Sequence, residues 1–313
     1  MRIFSEEFLS TDIDNIVHEI QENGIFACEQ AVAPEAIDTI LDDIGGLDFR
    51  LNTNTLNPVI SKHQTYQNHF MALSRVAFNL VTHKRITSIC DALLGQTYRV
   101  VGKRIYETRH GNYMSFHSDV GSTSTVPGQV DGLGFIFYMS DVDDGAFEIV
   151  EGSHRWHENY LGSQENDEKL IANHSIRRFP MPKGSYVIYD GRLLHRARPI
   201  NIPDQARQSF HFQVNRGTKV GEPIYVNMGW MNDLDESGKS LLGYGEPPTT
   251  SETWPITTPA HIPKDNEQVR QYLKENFKQF ANVFASAKPQ PMNASVVERK
   301  PRKAAVRKEH TFD

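Results

Sequence analysis

The sequence predicts an α+β fold, mainly β, in which N-terminal helices buttress one sheet of a sandwich or jelly roll. Three observations carry this expectation. Amphipathic helical periodicity is concentrated before Tyr98, short β-type runs follow one another after it without helices between them, and turn residues punctuate those runs.

Taken in order, Ser10, Thr11 and Asp12 precede apolar residues at Ile13, Ile16, Val17 and Ile20, an amphipathic helix that stops at Asn23-Gly24. The apolar run 25–28 is predicted as a strand. Pro34 opens a second helix with Ile37, Ile40, Leu41 and Ile44 on one face, closing at Gly45-Gly46. A longer helical pattern covers 70–94. The β-type runs are 98–108, 114–119, 133–140, 147–150, 185–189 and 209–214. After Arg216 the pattern weakens. Residues 232–263 are rich in Gly, Pro, Ser and Thr and read as an irregular excursion, and 264–287 carry a last helical pattern. From Lys288 the chain is polar and basic and is expected to be disordered. The expected organisation is therefore a core over 1–217, an extension over 218–287 and a basic tail over 288–313.

Composition bounds the function. A chain of 313 residues with 38% hydrophobic and 23% charged residues is an ordinary globular protein with a substantial core. Its formal net charge of −6 argues against a general nucleic-acid binder. Two cysteines, Cys28 and Cys90, lie far apart without metal-type spacing, which points to a reducing compartment. The opening MRIFSEEFLS lacks the apolar h-region of a secretory signal, and no run approaches the roughly 20 apolar residues of a membrane span. A cytoplasmic protein is expected. The basic tail could touch an anionic membrane surface, at about 1 kcal/mol per Lys or Arg, but a solvated tail is the simpler reading.

The chemistry is concentrated at Phe116-His117-Ser118-Asp119. Residues two apart on a strand share a face, so His117 and Asp119 project together. An imidazole and a carboxylate supply two ligands of a 2-His-1-carboxylate triad, which leaves open positions on Fe(II) for a chelating co-substrate and oxygen. The best third ligand is His195, which follows the apolar run 185–189 and a turn. Twelve residues later comes Arg207, with Ser209 on the same face. A guanidinium takes a carboxylate in bidentate fashion and a hydroxyl adds a donor, which suits the distal carboxylate of 2-oxoglutarate. A lone His-x-Asp recurs by chance among thirteen histidines. The bland alternative makes His117 and His195 core histidines and Arg207 half of a surface ion pair. The order His-x-Asp, apolar strands, Gly-Ser-His turn, strand, His, Arg-x-Ser is far more restrictive.

At these residues the sequence resembles the phytanoyl-CoA dioxygenase superfamily, including its ectoine hydroxylase branch. The matching pieces are His117-Ser118-Asp119, the run from Gly145 to Arg155 containing Gly152-Ser153-His154, and Asp190 through Ser209. Glu151 stands where the family usually has proline. The resemblance covers about two thirds of the chain. It implies a double-stranded β-helix (jelly roll, cupin-like) holding Fe(II) on His117, Asp119 and His195, with 2-oxoglutarate anchored on Arg207. O2 is the oxidant, and succinate and CO2 are released. Some relatives have a hydroxyl two places after the distal histidine. Here that residue is Ala197, so Ser209 or Tyr106 is expected to supply the contact. Halogenating relatives replace the carboxylate by a small residue; Asp119 is retained, so hydroxylation or a related oxidation such as desaturation is expected.

The substrate is expected to be a small molecule. Basic residues crowd the sequence near the proposed site, and Arg192, Arg196 and Arg104 are candidates for contacting an anionic one; a solvated face balanced by carboxylates is the competing reading. The segments 120–131 and 232–263 could cover the site, while Trp156, Trp230, Trp254 and Tyr244 are expected mainly in packing. Two rival functions remain: a cupin-type metal enzyme of another class, and a non-catalytic β-sandwich that binds carbohydrate or protein.

Overall fold

The computed structural model of the chain describes residues 2–44, 64–67, 70–95, 97–111, 113–120, 128–157, 160–217, 224–243 and 255–258. The helical pattern over 264–287, the basic tail, Trp254, Tyr244 and most of the segment 120–131 lie outside the described residues.

The helices form where their ends are capped. Ser5 caps α1 (Glu6–Ser10). Asp12 accepts a hydrogen bond from the Asp14 N–H at the start of α2 (Ile13–Asn23), which ends at Gly24 in the left-handed conformation with φ of 76°. Glycine is required there twice over, because a Cβ would also come within 2.7 Å of the His154 ring. β1 (Ile25–Cys28) follows, then α3 (Pro34–Ile44), which buries Ala36, Ile37, Ile40 and Ile44. The short strand β2 (Gln64–Gln67) precedes the region expected to be one long helix. That region is three helices: α4 (Phe70–Leu73), α5 (Arg75–Val81) and α6 (Lys84–Leu94). Two caps break it. The Ser74 hydroxyl accepts from the Ala77 N–H, and His83 Nδ1 accepts from the Arg85 N–H at 3.0 Å.

From Tyr98 the chain is mainly strand: β3 (Tyr98–Arg109), β4 (Gly132–Tyr138), β5 (Val142–Val150), β6 (Ile176–Met181), β7 (Tyr186–Asp190), β8 (His195–Ala197) and β9 (Ala206–Arg216). One helix interrupts them, α7 (Gln164–Asn173), against the expectation of none. Its sequence QENDEKLIAN buries Leu170 and Asp167 alone, so it offers almost no apolar periodicity to read. β6 and β8 were likewise not expected. β8 has three residues, and β6 carries two arginines and a proline, tolerated because it is the edge strand of its sheet. The run 114–119, expected as a strand, has a single bridge at His117 and a bend at Asp119.

Two antiparallel sheets result. One has the order β1-β7-β4-β9-β3-β2, the other β6-β5-β8. The outward face of the larger sheet presents Phe135, Phe137, Tyr186, Ile188, Phe210 and Phe212 to the helices, in one core with Phe8, Ile16, Ile37 and Phe78. Phe137 stacks on Tyr186 at 4.2 Å and Phe135 on Phe212 at 4.4 Å. Its inward face packs against the smaller sheet, bringing Ile136, Val187 and Tyr189 against Phe147, Ile149 and Phe179. Beyond β9, β10 (Ile224–Asn227) pairs in parallel with β11 (Pro255–Thr258), and α8 (Glu236–Leu242) buries Leu241 and Leu242 in the helical core. Trp230 packs on Phe78, as expected of a core aromatic. No helix among the described residues is long and apolar enough to cross a membrane.

Candidate active site

The site begins with a backbone bridge. His117 and His195 exchange both main-chain hydrogen bonds, N–H to C=O at 3.0 Å one way and 2.9 Å the other. Such a reciprocal antiparallel pair holds two residues about 5.5 Å apart at Cα with side chains on the same face. The two rings accordingly lie side by side, with centroids 4.5 Å apart. Each ring is then aimed by the main-chain carbonyl two residues before it. His117 Nδ1 lies 2.9 Å from the Ser115 carbonyl and His195 Nδ1 lies 2.9 Å from the Leu193 carbonyl. A carbonyl only accepts, so Nδ1 carries the proton in both and Nε2 keeps its lone pair. Those Nε2 atoms face Asp119, at 4.0 Å from Oδ1 for His117 and 3.6 Å from Oδ2 for His195. The three ligand-type atoms lie within 4.8 Å of one another. Asp119 converges with His117 although the segment is not the expected strand and the chain bends at Asp119.

Burial sets the charge states. It pushes the His195 imidazole down to about 4, so the ring is neutral at neutral pH and its Nε2 is available to a metal. Burial also works against the Asp119 carboxylate, but His195, the Tyr189 hydroxyl, His117 and His211 together hold it below the ordinary carboxylate value. The cluster joins the neutral His195 ring and the Asp119 anion to the His117 imidazole.

These residues open into a cavity of about 220 Å³. One wall is built by directly opposed residues of β3 and β9: Thr108 and Arg207, Tyr106 and Ser209, Arg104 and His211. Arg207 is buried, and burial lowers its guanidinium to about 10, which still leaves it a cation at neutral pH. Its Nη1 donates to the Gly145 carbonyl, while its Nε has no partner among the described residues. Ser209 Oγ lies 2.9 Å from His211 Nε2, and the Tyr106 ring meets His211 edge-on at 4.8 Å. Ala197 lines the cavity opposite Phe147 in the β5–β8 pair.

A family model for phytanoyl-CoA dioxygenase (PhyH) matches residues 20–208. The chain belongs to the phytanoyl-CoA dioxygenase family. Enzymes of this family depend on Fe(II) and 2-oxoglutarate. Among solved structures, HygX from Streptomyces hygroscopicus with nickel and 2-oxoglutarate bound is 14% identical, with a TM-score of 0.54 over 68% of this chain and 90% of that one. HygX with nickel, 2-oxoglutarate and hygromycin B bound is 15% identical, with a TM-score of 0.53 over the same shares, 68% and 90%. SnoN, a non-heme alpha ketoglutarate dependent epimerase from nogalamycin biosynthesis, is 16% identical with a TM-score of 0.48, over 79% and 97%. At such identities the HygX likeness shows a shared fold. No curated protein sequence gives a significant match.

The residues of this phytanoyl-CoA dioxygenase family member fit the groups its family uses. Two neutral imidazoles and a carboxylate are the donor set of non-haem Fe(II) oxygenases. The unpartnered Nε of a buried arginine suits a carboxylate guest, since a buried donor without an acceptor is costly.

The expected substrate contacts fare differently. Arg104 lines the cavity; Arg192 and Arg196 do not. Arg192 chelates the buried Asp190 two residues back, with Nη2 at 2.6 Å. Arg196 alternates with His195 and Ala197 along β8, so its side chain leaves on the opposite face, directly across from Glu148 in β5. There Nε donates to Glu148 at 2.7 Å and Nη1 to Asp167 at 3.1 Å, with the guanidinium 4.3 Å above the Phe116 ring. Other members of the basic crowd are also engaged with acids: Arg178 with Glu148, Lys183 with Asp38 and Arg155 with Glu22.

Among the cavity residues that sequence reasoning overlooked are His211, Gln213 and Tyr189. His211 and Gln213 follow from the same alternation that joined Arg207 to Ser209. Tyr189 is the last residue of a run already read as a strand, and its direction depends on which face that strand turns inward.

Proposed function

We propose that the chain is an Fe(II)/2-oxoglutarate-dependent dioxygenase that hydroxylates an unactivated C–H bond of a small, anionic metabolite and releases succinate and CO2. The fold would be a double-stranded β-helix over 1–217, with 218–287 as an extension of it and 288–313 as a basic tail. One observation carries the reading: His117 Nε2, His195 Nε2 and the Asp119 carboxylate converge in the cavity that also holds Arg207.

In this reading His117, Asp119 and His195 hold the metal. Arg207 takes the distal carboxylate of 2-oxoglutarate, with Ser209 and Tyr106 beside it. Bound iron with 2-oxoglutarate and O2 supplies the oxidising power. The protein fixes the ligands by the Ser115 and Leu193 carbonyls, orients the co-substrate by the guanidinium, and walls out water with Ile136 and Phe147. No acid–base pair is needed. Arg104, on the same wall as Arg207, supports an anionic substrate.

Anaerobic addition of Fe(II) and 2-oxoglutarate is expected to give the weak visible charge-transfer band of the chelate; iron-loaded, folded protein without it would count against the proposal. A substrate panel read by succinate release, under 18O2, then separates hydroxylation from oxidations that insert no oxygen. Replacing Arg207 with methionine removes a charge-assisted contact of about 1.5–3 kcal/mol. The KM for 2-oxoglutarate is expected to rise about ten- to hundredfold, and an unchanged KM would remove Arg207 from the site.

A further inference from the structure

We propose that Tyr189 is the positioning residue for Asp119, fixing the rotation of its carboxylate toward the two histidines, and that the absence of a Cβ at Gly134 admits it. The inference rests on the metal reading above. Tyr189 is the penultimate residue of β7 and stands directly opposite Gly134 of β4. Its ring lies over that glycine, in the space any Cβ at residue 134 would occupy. The ring is walled by Phe147 at 5.3 Å and His195 at 4.6 Å, so it has one place to be. From there the hydroxyl donates to Asp119 Oδ2 at 2.7 Å.

The consequence is chemical. The Asp119 side chain is 24% exposed and sits at a bend outside any strand, so its backbone alone does not set its rotation. A phenol fixed on Oδ2 sets it, and holds the carboxylate toward the Nε2 atoms of His117 and His195. Held so, the carboxylate and the two imidazoles would be the three protein ligands of a bound Fe(II) and would leave its other positions open. Gly134 therefore acts on the metal through Tyr189, without touching it. The Gly132-Leu133-Gly134 spacing in β4 is the trace of this in the sequence, the second glycine lying beneath the ring.

Tyr189→Phe tests this, because it keeps the ring and its packing and removes only the hydroxyl. Mn(II) titrations followed by the EPR signal of the free ion, with metal-free protein held well below its melting temperature, are expected to give a dissociation constant about 10–100-fold above that of the parent. The d–d bands of the Co(II) form are expected to change as the carboxylate rotates, while the melting temperature of the metal-free variant stays at the parent's. An unchanged Mn(II) affinity overturns the proposal, whatever the melting temperature does. Parent protein that takes up no Mn(II) overturns the metal reading itself.

Discussion

Replacing Asp119 with alanine is expected to reduce Mn(II) or Fe(II) affinity by more than the roughly 10–100-fold that follows loss of an outer partner. Asp119 supplies the sole negative charge of the three-residue cluster and lies within reach of both Nε2 atoms. Its removal leaves two imidazoles without an anionic ligand, and it strips the buried Tyr189 hydroxyl of its acceptor. Succinate formation is expected to disappear with the metal. An alanine variant that binds Mn(II) within tenfold of the parent would show that the carboxylate is not a ligand, and would remove the observation on which the proposed function stands.

The second large effect is expected on stability, from Asp167. This carboxylate is buried on α7 behind the site. It accepts from the Tyr113 and Tyr160 hydroxyls at 2.6 Å each, from the Phe116 N–H at 3.3 Å and from Arg196 at 3.1 Å. Phe116 precedes His117 and Arg196 follows His195, so one side chain ties the chain segments of both histidines together from behind. Asp167→Ala leaves Arg196 short of a counter-charge and strands a main-chain N–H. Breaking a buried ion pair from one side costs about 3–5 kcal/mol, which for a domain of this size lowers the melting temperature by roughly 6–20 °C. Tyr113→Phe removes one hydrogen bond at an exposed ring and is expected to cost no more than about 1 kcal/mol. Melting temperatures of the two variants that coincide with the parent's would show that the network carries no stability.

The contrast between these two residues shows what can be read from sequence here. Asp119 is legible because a metal ligand must stand in fixed local relation to another: two apart from His117, on one face. Arg207 and Ser209 are legible by the same alternation, and His211 and Gln213 would have been had it been carried two and four residues further. Asp167 has no such trace. It sits in a polar helix whose apolar periodicity is nearly absent, and its partners come from Tyr113, Tyr160, Phe116 and Arg196. Arg196 shows the same limit. Basic residues crowded in sequence near a proposed site suggested contact with an anionic substrate, but a strand sends neighbours to opposite faces, and only pairing with β5 decides that Arg196 meets Glu148.

By itself the sequence determined the α+β class, the capped helices over 13–23 and 34–44, most of the long strands, and the order of residues that places His117, Asp119, His195 and Arg207 in one family pattern. Each depends on periodicity or spacing within a few residues of chain, which neighbouring side chains enforce locally. Tertiary structure alone decided that His117 and His195 lie face to face in a reciprocal bridge, that Tyr189 reaches Asp119 over Gly134, and that Arg192 and Arg196 are spent in ion pairs. Those outcomes depend on strand register and on which face of each sheet is covered, and a register is chosen by the whole packed core.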